Sequence, residues 1–263
     1  MTNRESQIID QFRAEALRRG IPAPDVERWL GLARPCAVLT RDGDGPVAGA
    51  IRGPVLLPAD AEDPMFPLIA GIDLAALPAG ATDLPLPADG SLLLFGWPEE
   101  DGWGRMVYVP AGADLRERPE FPEGLTPEEP EYAEVYALLA PGDLHLSVDV
   151  SLPYVGAVPG HDRSEELTAV WREVFADRGL WQPLLLGGYG TDDNGVDPVR
   201  AAGRPEDEDW DFDETEANVE DWVLVAEFHG VRPGGATIFW LIRRKDLAAR
   251  HFDQARILVD WNP

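Results

Sequence analysis

The chain is poor in several reactive residue types, and each shortage excludes something. It has one cysteine, Cys36, so no intramolecular disulfide can form. The apolar setting RPCAVLT predicts a buried thiol rather than a reactive one, and such cysteine usage fits a reducing compartment. Lys245 is the sole lysine. It stands ahead of Asp246-Leu247 at the start of a short helix and is read as a solvated surface residue, which leaves lysine-based chemistry without a candidate. The four histidines, His145, His161, His229 and His251, are far apart and lack the paired spacing of zinc ligands.

Long apolar runs are missing as well. The opening residues MTNRESQIIDQFRAEALRRG have neither the apolar stretch of a signal peptide nor the acid-free composition of a transit peptide. No run anywhere approaches a membrane span. A cytoplasmic location and no membrane partner are expected. There is no G-x-S-x-G motif, and the glycine-rich loops lack the lysine of a phosphate cradle. The acidic turns at Asp42 and Asp44 and at Asp192, Asn194 and Asp197 fall short of the ligand series of a calcium loop. On these grounds no catalytic residue, metal or cofactor is assigned.

Acidic charge, in contrast, is abundant. Against 22 Lys plus Arg stand 48 Asp plus Glu, a formal charge of -26. Such a chain repels phosphate backbones and anionic lipid, so nucleic acid is a poor partner and a basic protein a good one. Residues 206–221 carry ten carboxylates and no Lys or Arg, with Trp210 and Phe212 among them. A run of this kind reads as a solvated loop. It also reads as an interaction surface, because aromatics amid like charge resemble interface anchors. On that second reading Asp207, Asp209, Trp210, Asp211, Phe212 and Asp213 are the partner-binding residues.

With 263 residues the chain can form one large domain or two small ones. Ile8, Ile9, Phe12, Ala16 and Leu17 predict an amphipathic helix over residues 3–19, stopped by Gly20. A second short helix, PDVERWLGLA, is closed by Pro35. The period then changes to that of strands: CAVLT, VAGAIRGPVLLP, FPLIAGIDLAALP, SLLLFGW and RMVYVP. Residues 116–130 are rich in Pro and Glu and predict an exposed loop, and EYAEVYALLA after them has helical spacing. LHLSVDVSLP alternates, with Leu144, Leu146, Val148 and Val150 on one face and His145, Ser147, Asp149 and Ser151 on a half-exposed other. A helix is predicted over residues 162–178, capped by Asp162 with Glu165 in the capping box and ended by Gly179. PLLLGGYG then reads as a strand broken at a diglycine, which permits positive φ or a close backbone approach.

The last 45 residues, 219–263, read as strand, turn, strand, short helix, strand, and they repeat an earlier plan. LIAGIDL from Leu68 aligns with LVAEFHG from Leu224, Gly90 and its apolar strand with Gly235 and its strand, and Arg105-Met-Val-Tyr-Val with Arg256-Ile-Leu-Val-Asp. The expected fold is α+β: a duplicated antiparallel β unit whose two sheets pack or join, with peripheral helices. Residues 1–33 form an N-terminal helical segment, and residues 34–263 a single domain built from repeats at about 47–110 and 183–263.

FPLIAGIDLAALP followed by LPADGSLLLFGW, the later LLLGGYG, and above all GGATIFWLIRRKDLAARHFDQARILVDW resemble the YwqG-like family of bacterial proteins, from about Arg34 onward. The resemblance implies a fold and a bacterial, cytoplasmic context, and no catalytic motif. The chain departs from the family pattern at Arg52-Gly53, where a diglycine is usual, and at Gly71, where glutamine is frequent. Two functional readings follow from the sequence. One is a non-enzymatic acidic binding protein, an immunity or regulatory protein for a basic partner. The other is an enzyme or small-ligand protein with its site between the repeats, near Gly187, Gly188, Tyr189 and His229.

Overall fold

The computed structural model describes residues 3–97, 102–120, 139–155, 158–179, 183–191, 195, 197–204, 219–229 and 236–260. Two helices open the chain, α1 (Asn3–Arg18) and α2 (Ala23–Leu30). Strands β1 (Arg34–Thr40), β2 (Val47–Ile51), β3 (Val55–Pro58) and β4 (Leu68–Asp73) follow. Next come β5 (Ser91–Gly96), β6 (Gly104–Val109), β7 (Leu115–Arg118) and β8 (Gly142–Ser151). Helix α3 (Ser164–Ala176), strand β9 (Leu184–Leu186) and the one-turn helix α4 (Pro198–Ala202) lead to the closing block. That block comprises β10 (Trp222–Phe228), β11 (Thr237–Arg243), α5 (Arg244–Ala248) and β12 (Arg256–Asp260).

Ten strands join into one antiparallel sheet in the order β12-β11-β10-β9-β1-β8-β2-β4-β5-β6, and β3 pairs with β7 in a small second sheet. The large sheet curls until it is nearly closed. Its two ends meet where Gly102 N donates to Ile257 O at 3.1 Å and Trp240 Nε1 donates to Phe95 O at 3.0 Å. Strand alternation fills the enclosed space: Ala37 and Leu39, Leu144 and Leu146, Leu184 and Leu186, Leu92 and Leu94, and Ile238, Trp240 and Ile242 pack in one core. Each buried Leu or Ile among them contributes roughly 1.5–3 kcal/mol of apolar transfer.

The outer face is covered in separate patches. Phe12, Ala16, Val26, Trp29, Leu167, Val170 and Trp171 of the three longer helices pack with Leu152 and Tyr154 beyond β8. Val55 and Leu57 of the small sheet lie on Leu93, Phe95 and Val109, and Ala202 of α4 lies with Trp222, Leu224, Phe239 and Leu241. Covering on both faces is why β10 is buried at all seven positions and reads as an unbroken apolar run but for Glu227.

Strands β4-β5-β6 and β10-β11-β12 occupy the two ends of the sheet. Register shifts fall between Leu68 and Ala70 in one set and between Leu224 and Ala226 in the other. Ala70 stands opposite Leu94, which stands opposite Met106; Ala226 stands opposite Trp240, which stands opposite Ile257. By position in the sheet, Leu94 therefore answers to Trp240, one residue away from the partner that aligning the glycines gives.

Several local expectations differ from what is found. Asp162 does not cap α3; Arg163 precedes the helix with no side-chain cap, and Ser164 Oγ instead accepts the Val158 amide at 3.1 Å. Asp149, read as half-exposed, is fully buried: α1 packs against β8, and Asp149 pairs with Arg178 beyond α3. Val150 does not share the interior with Leu144 and Leu146 but packs on the helical side. Part of the stretch read as loop forms β7, where the Arg118 guanidinium donates to Asp63 and to the carbonyls of Pro58, Ala59 and Ala61. Most of EYAEVYALLA lies outside the described residues.

Candidate functional site: a cavity at the rim of the sheet

Antiparallel pairing brings the start of β1, the end of β8, the end of β9 and the start of β10 to one rim, with Arg34 opposite Ser151 and Ala37 opposite Leu186. A cavity of about 560 Å³ opens there. Its apolar walls include Leu32, Leu84, Pro153, Tyr154, Val155, Val158, Trp222 and Leu224, and its polar lining includes Arg34, Asp83, Tyr189, Asp197, Arg200, Glu220 and Arg244. An apolar concavity of this size with a few convergent polar groups has the build of a small-molecule site.

The floor is the loop after β9. Gly187 and Gly188 have φ of 71° and 77°, a left-handed pair that side chains disfavour. A Cβ on Gly188 would lie 2.7 Å from Ser151 Cβ, so the loop presses directly on the end of β8. Its amides are taken up by neighbouring groups: Gly187 N donates to Val225 O at 3.1 Å, Gly188 N to Asp83 Oδ1 at 3.2 Å, and Tyr189 N to Ser151 Oγ at 3.0 Å. With those amides satisfied, the loop is fixed before any ligand arrives.

Charged groups converge on the cavity. The Arg34 guanidinium lies over the Tyr189 ring at 4.2 Å, with Nε 3.7 Å from Asp83 Oδ2. The Tyr189 hydroxyl donates to Leu32 O at 3.0 Å, and burial raises its pKa. Asp197 caps α4 by accepting the Val199 amide at 2.9 Å. Burial holds its carboxyl above the ordinary value, against the opposing pull of that amide and of Arg200. Arg244 Nε donates to Glu220 O at 2.9 Å.

Gly188 and Tyr189 thus line the cavity, while Gly187 sits behind it against Thr82 and Asp83. His229 is placed elsewhere, beside the fully buried Glu227. That carboxylate accepts from Thr191 N at 2.9 Å and Thr191 Oγ1 at 2.8 Å, and His229 Nε2 lies 2.9 Å from it. Thr191 Oγ1 also touches His229 Nε2. A nucleophile relay needs the two ring nitrogens on different partners. Here one nitrogen meets both, which is the geometry of a buried carboxylate being satisfied.

Asp207, Asp209, Trp210, Asp211, Phe212 and Asp213 lie outside the described residues, as do Asp192 and Asn194. Among the described residues no cluster of three or more His, Cys, Asp or Glu side chains could hold a metal ion, and no helix is long and apolar enough to cross a membrane. The sequence reading missed Arg34, Asp83 and Arg200. One usable signal was Asp197-Pro198, a capping residue ahead of proline in the first helical turn. No protein-family model matches the chain, and no curated protein matches it either.

Proposed function

We propose that this protein binds a small molecule in the rim cavity. The observation that carries the proposal is a cavity of about 560 Å³ whose glycine-loop floor is fixed by Asp83 and Ser151 and whose apolar walls surround a few charged groups. Membership of the YwqG-like family, with its bacterial and cytoplasmic setting, belongs to the same proposal. So does a duplication of the β unit, which the matching register shifts at Leu68/Ala70 and Leu224/Ala226 support. On that view the cavity forms where the second copy carries Gly187-Gly188.

The test is to extract purified protein under denaturing conditions and identify released small molecules by mass spectrometry, beside variants with the cavity filled, Leu84→Trp and Val158→Trp. Wild-type protein should release a compound that the folded, filled variants lack. Equal release from all three would overturn the proposal.

The charge of -26 favours a second reading, in which the acidic surface steers a basic protein and Trp210 and Phe212 anchor it. It predicts capture of a cationic protein that weakens steeply with salt and on replacing Asp207, Asp209, Asp211 and Asp213 with Asn. Capture indifferent to both changes would dismiss it.

A further inference from the structure

We propose that the cavity takes an amphiphilic organic anion, with its acid group on Arg200 and Arg34 and its apolar body against Tyr154, Val158 and Leu224. This rests on the small-ligand reading and adds the charge and build of the ligand.

The lining is asymmetric in what it leaves open. A guanidinium carries five N–H donors. Among the described residues Arg200 forms no ion pair and no side-chain hydrogen bond, although it lines the cavity. Arg34 is steadied by stacking on Tyr189, and its approach to Asp83 at 3.7 Å is too long for a hydrogen bond. The two carboxylates nearest them are already engaged by backbone amides, Asp83 by Gly188 and Asp197 by Val199. Guanidinium donors left open among the described residues suit an incoming anion, whereas a cation would meet two guanidinium groups beside carboxylates that each already hold a backbone amide.

The charge of -26 on the whole chain does not reverse this. At physiological salt, exposed charges farther than about 8 Å are largely screened, so the groups in contact decide. The remaining wall is apolar, and a volume of about 560 Å³ falls within the span of roughly 300–1,000 Å³ that receives drug-sized molecules. A bare inorganic anion would leave that wall uncovered.

Two fluorescent probes with the same rings separate the terms: 8-anilinonaphthalene-1-sulfonate, an anion, and N-phenyl-1-naphthylamine, its counterpart without the sulfonate. Both should bind at one site, the anion about ten-fold more tightly, as one added charge-assisted contact provides. Arg200→Gln should remove most of that preference and leave the neutral probe unchanged, and Val158→Trp should abolish both. Equal affinity for the two probes, or an Arg200→Gln variant that keeps the full preference, overturns the anion assignment and leaves the cavity reading standing. If Arg200→Gln loses both probes, Arg34→Gln decides: a reduced preference supports the assignment and an intact one overturns it. Binding of neither probe by wild type, or of both by Val158→Trp, overturns the cavity reading itself.

Discussion

Arg52 and Gly187 hold corresponding backbone positions at the ends of β2 and β9. Each has a left-handed φ, 55° and 71°, and each donates its amide to the strand alongside, to Ile69 O at 3.0 Å and to Val225 O at 3.1 Å. Glycine adopts this conformation without strain and other residues pay roughly 1–2 kcal/mol. The Arg52 side chain pairs with Glu120. Arg52→Ala and Arg52→Gly both lose that pair, but only the glycine relieves the backbone. The glycine variant should be the more stable of the two by on the order of 1 kcal/mol in urea titration. Gly187→Ala should cost more than the difference between them, since its Cβ would also lie 3.0 Å from Thr82 Cβ.

Glu227 ties the loop after β9 to β10 through both Thr191 donors and His229. Removing a fully buried acceptor leaves those donors without a partner, at about 1–3 kcal/mol for each. Glu227→Ala should therefore destabilise the protein by on the order of 3 kcal/mol, measured by chemical denaturation. Glu227→Gln, which keeps one acceptor oxygen, should cost clearly less. His229→Ala should fall below both, because the Thr191 contacts survive it.

Asp149 and Arg178 are a second buried connection, between β8 and the segment that follows α3. Breaking one side of such a pair leaves a charge in a dry setting, while replacing both sides with apolar groups can be nearly neutral. Arg178→Met alone should cost about 3–5 kcal/mol. The double variant Asp149→Leu, Arg178→Met should recover most of that loss. Additivity of the two single effects in a double-mutant cycle would contradict this coupling.

What could be read in the sequence was whatever depends on local spacing. The stripe through Phe12 and Ala16, the alternation through Leu144 and Leu146, and the glycines at 187 and 188 each carry their structural reason within a few residues. Arg52 escaped because its left-handed backbone is imposed by surroundings rather than announced by glycine. Asp149 was misread because the helix on β8 is α1 and its ion-pair partner is Arg178, both far away in the chain. Glu227 was one carboxylate among 48 acidic residues until the pleat of β10 turned it toward Thr191. Of the cavity only Gly188 and Tyr189 were legible, since the rest of its lining runs from Leu32 to Arg244 and only the strand order gathers it.

Cys36 provides a test of that packing through pH. It sits on the outer face of β1 with Val38 and Leu185, is 4 % exposed, and burial pushes its thiol well above the ordinary thiol value, with Asp149 adding to the rise. A group whose folded pKa is raised supports the fold fully below its unfolded pKa, because there both states hold the proton. As pH rises beyond the ordinary thiol value, the unfolded chain ionises first and that contribution is lost. Stability of wild type relative to Cys36→Ala should thus be constant up to about pH 8 and decline above about pH 9, as the unfolded thiol with its reference pKa near 8.5 titrates. At neutral pH a thiol reagent should label the folded protein only through opening, so the labelling rate should rise with urea in step with unfolding. Rapid labelling without denaturant would show that the cover of α3 over β1 is not in place.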